Sequence, residues 1–136
     1  KIRKKITDML SDKNIIQPVL IHPSASVDET VLIEEGTVIM ANTVINADTR
    51  IRKGCIINTS SSIDHDCVIN DFVHISPGVH IAGTVRIGEN TWIGTGASVI
   101  NNVCITDNCI IGAGSVVIGD ISNCGTYVGS PVRMVK

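Results

Sequence analysis

Two short segments contain the residues best suited to chemistry: Ile63-Asp64-His65-Asp66-Cys67 and His74-Ile75-Ser76-Pro77-Gly78. A carboxylate beside an imidazole can fix its tautomer and stabilise the positive charge that forms when the ring accepts a proton. The first segment therefore has the composition of a general-base site. The alternative is a solvated histidine with no catalytic role.

A six-residue repeat must position these side chains. Every sixth residue from Ile21 to Val117 is Ile or Val, 17 in succession without an insertion, and four residues after each comes a second, mostly small series. A helix cannot use this period, whereas strand residues two apart point to the same face. The residue three after each Ile or Val is Gly, Asn or Asp in 12 of the 17 hexads. These types tolerate positive φ and indicate a corner after each short strand.

Three such hexads close one triangular coil, and stacked coils place parallel strands about 4.8 Å apart. The hexads predict between five and six coils around a ladder of isoleucines, which explains a chain with one Phe, one Tyr and one Trp. A β-sandwich with coincidental spacing is the alternative, but its loop lengths would vary.

Residues 18 apart stack in this prism, so the corner of His65 has Ala47 below it and Gly83 and Asn101 above it. We expect Gly83 to leave space beside the imidazole and to point its N–H outward. A base next to such a donor suits acyl transfer, because the donor can stabilise a developing oxyanion.

His74 belongs to an outward column on another face. Most members of that column are large and apolar: Leu20, Val38, Ile56, His74, Trp92 and Ile110. A long exposed apolar stripe marks an interface. Because His65 lies at the corner opposite this face, we expect the two histidines to meet across a boundary between subunits.

The hexad series resembles the hexapeptide-repeat acyltransferases. A narrower resemblance rests on the two histidine segments and on two further ones, Ile21-His22-Pro23-Ser24-Ala25 and Gly129-Ser130-Pro131-Val132-Arg133. That resemblance is to the sialic acid O-acetyltransferases and the UDP-amino-sugar (bacillosamine-type) N-acetyltransferases. It implies a left-handed parallel β-helix, usually trimeric, with an N-terminal nucleotide-sugar-binding domain that this chain does not contain.

The resemblance also implies roles. His65 would be the general base, Asp66 its orienting acid with Asp64 as a rival, and the Gly83 N–H the donor to the acetyl carbonyl. The co-substrate would be acetyl-CoA. Its implied contacts are His74, Gly83, Asn101 and Arg133, and the implied sugar contacts are Asn58 and His74. Packing at an interface is the alternative for His74, and a solvated charge is the alternative for Arg133.

The expected function is acetyl-CoA-dependent acetylation of a sugar, at the amine of a nucleotide-linked amino sugar in bacterial surface-glycan synthesis. Two alternatives remain, O-acetylation of a sialic acid and a non-catalytic trimeric scaffold. We expect a cytoplasmic homotrimer with its sites between subunits.

Charge and cysteine positions exclude other classes. A net charge of −2 gives no general attraction to nucleic acid or anionic membrane. No apolar run approaches the roughly 20 residues that cross a bilayer. No two of the five cysteines are 18 apart, so we expect free thiols and a reducing compartment. The histidines also do not stack as a zinc site requires, so no metal is expected.

The chain divides into two predicted parts. Residues 1–14 have an apolar stripe typical of a helix, formed by Ile2, Ile6, Met9 and Leu10. We interpret this helix as the remnant of a missing domain, consistent with a first residue that is not Met. Its basic residues are expected to be solvated. Residues 15–136 form the β-helix acyltransferase domain.

Overall fold

The computed structural model describes residues 2–135, and Lys1 and Lys136 lie outside the described residues. Helix α1 spans Ile2–Asp12, two residues shorter at its end than predicted. It stops there because Asn14 adopts φ 55° and the Ile15 N–H binds the Leu10 carbonyl at 3.0 Å. A left-handed Asn after the last turn is a common way to satisfy terminal helix carbonyls.

The rest of the chain forms three sheets, which are the three faces of a prism. Face 1 contains β1 Leu20–Ile21, β4 Val38–Ile39, β7 Ile56–Ile57, β10 His74–Ile75, β13 Trp92–Ile93, β16 Ile110–Ile111, β18 Thr126–Gly129 and β19 Val132–Met134. Face 2 contains β2 Ser26–Val27, β5 Val44–Ile45, β8 Ser62–Ile63, β11 His80–Ile81, β14 Ser98–Val99 and β17 Val116–Val117. Face 3 contains β3 Leu32–Ile33, β6 Arg50–Ile51, β9 Val68–Ile69, β12 Arg86–Ile87 and β15 Cys104–Ile105.

From β1 to β17, strands on each face pair in parallel with partners 18 residues away, as the hexads predict, and β18 then pairs with β16 at a spacing of 16. His74 pairs with Ile56 on one side and with Trp92 on the other, and Arg86 pairs with Val68. The predicted fold class, a parallel β-helix after a short N-terminal helix, is thus confirmed. β18 and β19 alone pair antiparallel among the described strands and end face 1.

The core is the predicted isoleucine ladder. The inward isoleucines from Ile39 to Ile93 are each at most 2% exposed. Burying one such side chain contributes about 1.5–3 kcal/mol, so a ladder of them needs few aromatic residues. Ile21 is 49% exposed because no coil lies beneath it among the described residues.

The corners have positive φ at every sixth position from Gly36 to Gly114. Ser60, Phe72 and Thr84 adopt this conformation although their types did not predict it, because their neighbours fix the coil geometry. Asp120 was predicted to have positive φ and does not, since the regular coil ends after β17.

Helix α1 contacts the prism through Arg3 and Lys4, which corrects the expectation of solvation for these two residues, while Lys5 is exposed as expected. Arg3 donates to the Gly54 carbonyl at 2.9 Å and to the Gly36 carbonyl at 2.5 Å. Lys4 Nζ lies 5.6 Å from the Phe72 ring centroid. Ile2, on the apolar stripe, is 76% exposed. Within residues 2–135, α1 is too short and too polar to span a membrane.

Candidate active site

His65 lies at the corner that joins face 2 to face 3, which we call corner 2–3. Its Nδ1 and the Asp66 Oδ2 are 2.8 Å apart, and both side chains are 56% exposed. The hydrogen bond to Asp66 raises the pKa of His65 above its ordinary value, since it favours the protonated ring. With Nδ1–H donating to Asp66, Nε2 is left as the basic nitrogen.

Asp64, the rival partner, contacts the backbone instead of the ring. Its Oδ1 accepts the His65 N–H at 2.9 Å and the Asn46 amide at 2.9 Å. These bonds, the one to Asn46 first, lower the pKa of Asp64. Asp64 therefore holds the start of the turn, while Asp66 orients the imidazole.

Gly83 lies directly above His65, but the expected open space is filled. A Cβ at Gly83 would lie 2.7 Å from both Cε1 and Nε2 of His65, so the ring packs on the glycine. Gly83 itself is buried. Its N–H donates to no group within residues 2–135, whereas its carbonyl accepts the Asn102 N–H at 3.1 Å. The site thus pairs a basic nitrogen with an uncommitted donor in the next coil.

Asn101 continues the column two coils above His65, about 10 Å away at the spacing of β-strands. Its side chain is exposed and forms no hydrogen bond within the described residues. Thr84 and Asn102, the next residue of each coil, are joined by a side-chain hydrogen bond.

His74 lies half-buried on face 1 and stacks on Trp92, with ring centroids 5.6 Å apart and planes within 5°. Burial, and secondarily the charge of Arg3, lowers the pKa of His74, so the ring is neutral near pH 7. Such a ring can donate one hydrogen bond and accept another.

Asn58 sets which nitrogen of His74 donates. Its Oδ1 accepts the Thr59 N–H at 2.8 Å, so the Nδ2 amide faces His74 Nε2 at 3.4 Å. Nε2 is then the acceptor, and Nδ1–H remains as the donor. The structure thereby brings together Asn58 and His74, two of the predicted contact residues.

The predicted site residues form two groups and one outlier within a single chain. His65, Asp66, Gly83 and Asn101 share corner 2–3, and Asn58 and His74 share face 1. No contact within residues 2–135 joins His65 to His74. Arg133 lies in β19 at the end of face 1, is exposed and donates to the Val132 carbonyl at 2.8 Å.

Comparisons with known proteins show which families and structures this chain resembles. The bacterial transferase hexapeptide (six repeats) family matches residues 84–119. The acetyltransferase domain of PglB from Neisseria gonorrhoeae, solved with acetyl coenzyme A, is 40% identical with a TM-score of 0.97, over 98% of this chain and 65% of that one. A search of curated proteins found no match.

Two further structures are similar. One is a GDP-perosamine N-acetyltransferase from Caulobacter crescentus in which a histidine is replaced by alanine, solved with CoA and GDP-perosamine. It is 36% identical with a TM-score of 0.97, over 99% of this chain and 64% of that one. The other is WeeI from Acinetobacter baumannii, 28% identical with a TM-score of 0.95, over 98% of this chain and 66% of that one.

The chain is similar to the hexapeptide-repeat acetyltransferases. Its similarity is to sugar N-acetyltransferases of the bacillosamine type within that family. The chain spans about two thirds of the length of these relatives.

Sequence reasoning missed several contacts of this hexapeptide-repeat site. Trp92 donates from Nε1 to the buried Ser76 hydroxyl at 2.8 Å, which fixes the indole that stacks on His74. Ser62 Oγ and His80 Nδ1, on face 2 beside corner 2–3, lie 2.8 Å apart. The 18-residue spacing of His74 with Trp92 and of Ser62 with His80 is the signal that could have found both pairs.

All five cysteines lie within the described residues and are free. Burial raises the pKa of Cys55 to about 12 and also raises the pKa of Cys67. A protonated thiol is a poor nucleophile, so these two residues do not suit a covalent acyl-cysteine route.

Proposed function

We propose that this chain transfers the acetyl group of acetyl-CoA to the amine of a nucleotide-linked amino sugar. The observation that carries the proposal is the His65–Asp66 pair packed on Gly83. The relatives solved with acetyl-CoA, or with CoA and GDP-perosamine, support the choice of co-substrate and acceptor class.

The reaction is a direct transfer. The acceptor nitrogen attacks the thioester carbonyl, a C–N bond forms and the C–S bond breaks. His65 Nε2 accepts the proton of the attacking amine and passes it to the leaving sulfur, so an amine and a thioester become an amide and a thiol. Asp66 stabilises the imidazolium between these steps, and the Gly83 N–H donates to the developing oxyanion.

The proposal includes a homotrimer with one site at each boundary between subunits. Face 1 exposes an apolar column in which Trp92 is 51% and Ile110 45% exposed. His74 of one copy would then approach corner 2–3 of the next, and its Nδ1–H would bind the acetyl carbonyl. Asn58 would orient His74 and contact the sugar. Asn101 would contact CoA, and Arg133 would meet one of its phosphates. The cytoplasm, which contains acetyl-CoA, is the proposed location.

Thiol release from acetyl-CoA with GDP-perosamine and other amino sugars tests the function. His65→Ala is expected to lower kcat/KM by about 10²–10⁴, the usual value of a general base. His80→Ala is the matched control, because His80 is an exposed histidine bound to Ser62 and outside the proposed machinery.

Three results would contradict the proposal. A His65→Ala chain within about tenfold of the native rate would exclude a general base of ordinary strength. Release of no thiol with any amino sugar would favour a scaffold. Mass spectrometry that found an ester product would favour O-acetylation.

A further inference from the structure

A groove on face 3 runs beside the proposed catalytic corner and is lined by arginines. Arg50 and Arg86 both line it, with Val68 between them and Asp66 at the corner. Each arginine pairs in register with Val68, one from the coil below and one from the coil above. Their Cα atoms are therefore two strand spacings apart, about 10 Å.

The charges of the groove favour an anion. Arg52, which also lines it, is bound to Glu34 at 2.6 Å, and Asp66 is bound to His65. Arg50 and Arg86 are exposed and form no ion pair within residues 2–135. Of the two aspartates that line the groove, only Asp48 has a carboxylate that forms no ion pair among the described residues. The groove therefore has more free positive than free negative charge.

The separation of the arginines favours a long anion. One guanidinium can hold a carboxylate in a bidentate pair, so a single carboxylate would not need both. Two guanidinium groups on either side of a small apolar residue match a group with two phosphates. Val68 follows His65 by three residues, so its Cα lies at most about 11 Å from that of His65. A molecule bound in the groove can therefore reach the imidazole.

We infer that Arg50 and Arg86 bind the diphosphate group of a substrate whose reacting end lies at His65. The identity of that substrate rests on the proposed function, under which the nucleotide-linked sugar and CoA both carry a diphosphate. The groove itself rests on the positions of Arg50, Val68 and Arg86.

Calorimetric titration with inorganic pyrophosphate tests the groove without catalysis. The double variant Arg50→Gln/Arg86→Gln is expected to raise Kd at least tenfold. The control Lys5→Gln/Lys13→Gln removes the same charge from two exposed residues, one in α1 and one directly after it, and is expected to keep the native Kd. Equal affinity in the arginine variant and the native chain, or an equal loss in the control, would overturn the inference.

Steady-state kinetics then identify the source of the diphosphate. A higher KM for GDP-perosamine in the arginine variant assigns the groove to the acceptor, and a higher KM for acetyl-CoA assigns it to the co-substrate. An active native chain with both KM values unchanged in the variant would overturn the inference and leave the proposed function intact. If the native chain is inactive, the proposed function fails and the pyrophosphate titration still decides the inference.

Discussion

At the scale of the residue, the site depends on which atom each carboxylate binds. Asp66 binds the His65 ring and Asp64 binds the His65 backbone, although both flank the same histidine. The sequence could not distinguish the two, because each is adjacent to His65 in the same tight turn. The backbone conformation at each position decides where such a short side chain points. Coordinates were needed to distinguish them.

Asp66→Asn is expected to lower the pKa of His65. The native pKa of His65 is raised above the ordinary 6.5, chiefly by the hydrogen bond to Asp66. The neutral form of the ring, which can act as a base, is therefore lost as pH falls through this raised pKa. Removing the carboxylate should move that loss to lower pH, as an NMR titration of the imidazole can measure. Asp64→Asn should move it less, because Asp64 acts by its charge alone; a larger shift in Asp64→Asn would contradict this assignment.

Gly83→Ala is expected to lower kcat/KM by about 10², the typical cost of misplacing a catalytic group by about 1 Å. The new Cβ would lie 2.7 Å from the His65 ring, which must move away. Because the ring is exposed and can move, the Tm should change little. Gly119→Ala is the control, since its Cβ would meet nothing within 4 Å. Full activity in Gly83→Ala would show that the ring need not lie on the glycine.

At the scale of the element, buried threonines join several corners to the coil below. Thr49 Oγ1 donates to the Asp64 carbonyl at 2.8 Å and accepts the Cys67 N–H at 3.2 Å. Thr37 makes the same pair of bonds with Arg52 and Cys55. The hexad pattern predicted small residues at these positions by size and did not reveal their hydrogen bonds.

Thr49→Val is expected to destabilise the fold by about 1–3 kcal/mol, the cost of leaving a buried polar group without a partner. The substitution keeps the shape of the side chain and removes the hydroxyl that serves Asp64 and Cys67. Urea unfolding measures the change. Thr49→Ser keeps the hydroxyl and should lose less; an equal loss in both variants would mean that the methyl group, and not the hydroxyl, stabilises the corner.

The repeat made the elements readable because each coil repeats one geometry. Strand positions, register and the isoleucine ladder followed from periods of 6 and 18. The period of 18 also predicts that Asn46 lies beside Asp64 and that Ser62 lies beside His80, and both pairs are in hydrogen-bond contact. The bonds of Arg3 to the Gly36 and Gly54 carbonyls could not be predicted. The 18-residue period applies only to the coils and does not determine how α1 packs against them.

At the scale of the molecule, one chain keeps the two proposed halves of the site apart. His65 is at corner 2–3 and His74 on the opposite face, so the site that we propose would require a second copy. The apolar column of face 1 is the surface that we propose for that contact.

Trp92→Asp is expected to dissociate the proposed trimer, because it places a charge in the apolar column of face 1. Sedimentation should show a shift from three times the chain mass of 14.4 kDa towards one chain, with a parallel loss of activity. Val44→Asp, an exposed apolar residue of face 2, is the control. A monomeric Trp92→Asp chain with native activity would refute a site shared between subunits.

The hairpin of β18 and β19 has a consequence for how copies can associate. A stack of parallel strands ends in an edge that could pair with the next rod and extend into a filament. On face 1 the chain reverses at Pro131, and β19 lies antiparallel across that edge. The outermost strand of this face is therefore a short antiparallel one, which does not continue the 18-residue parallel register that a further coil would need.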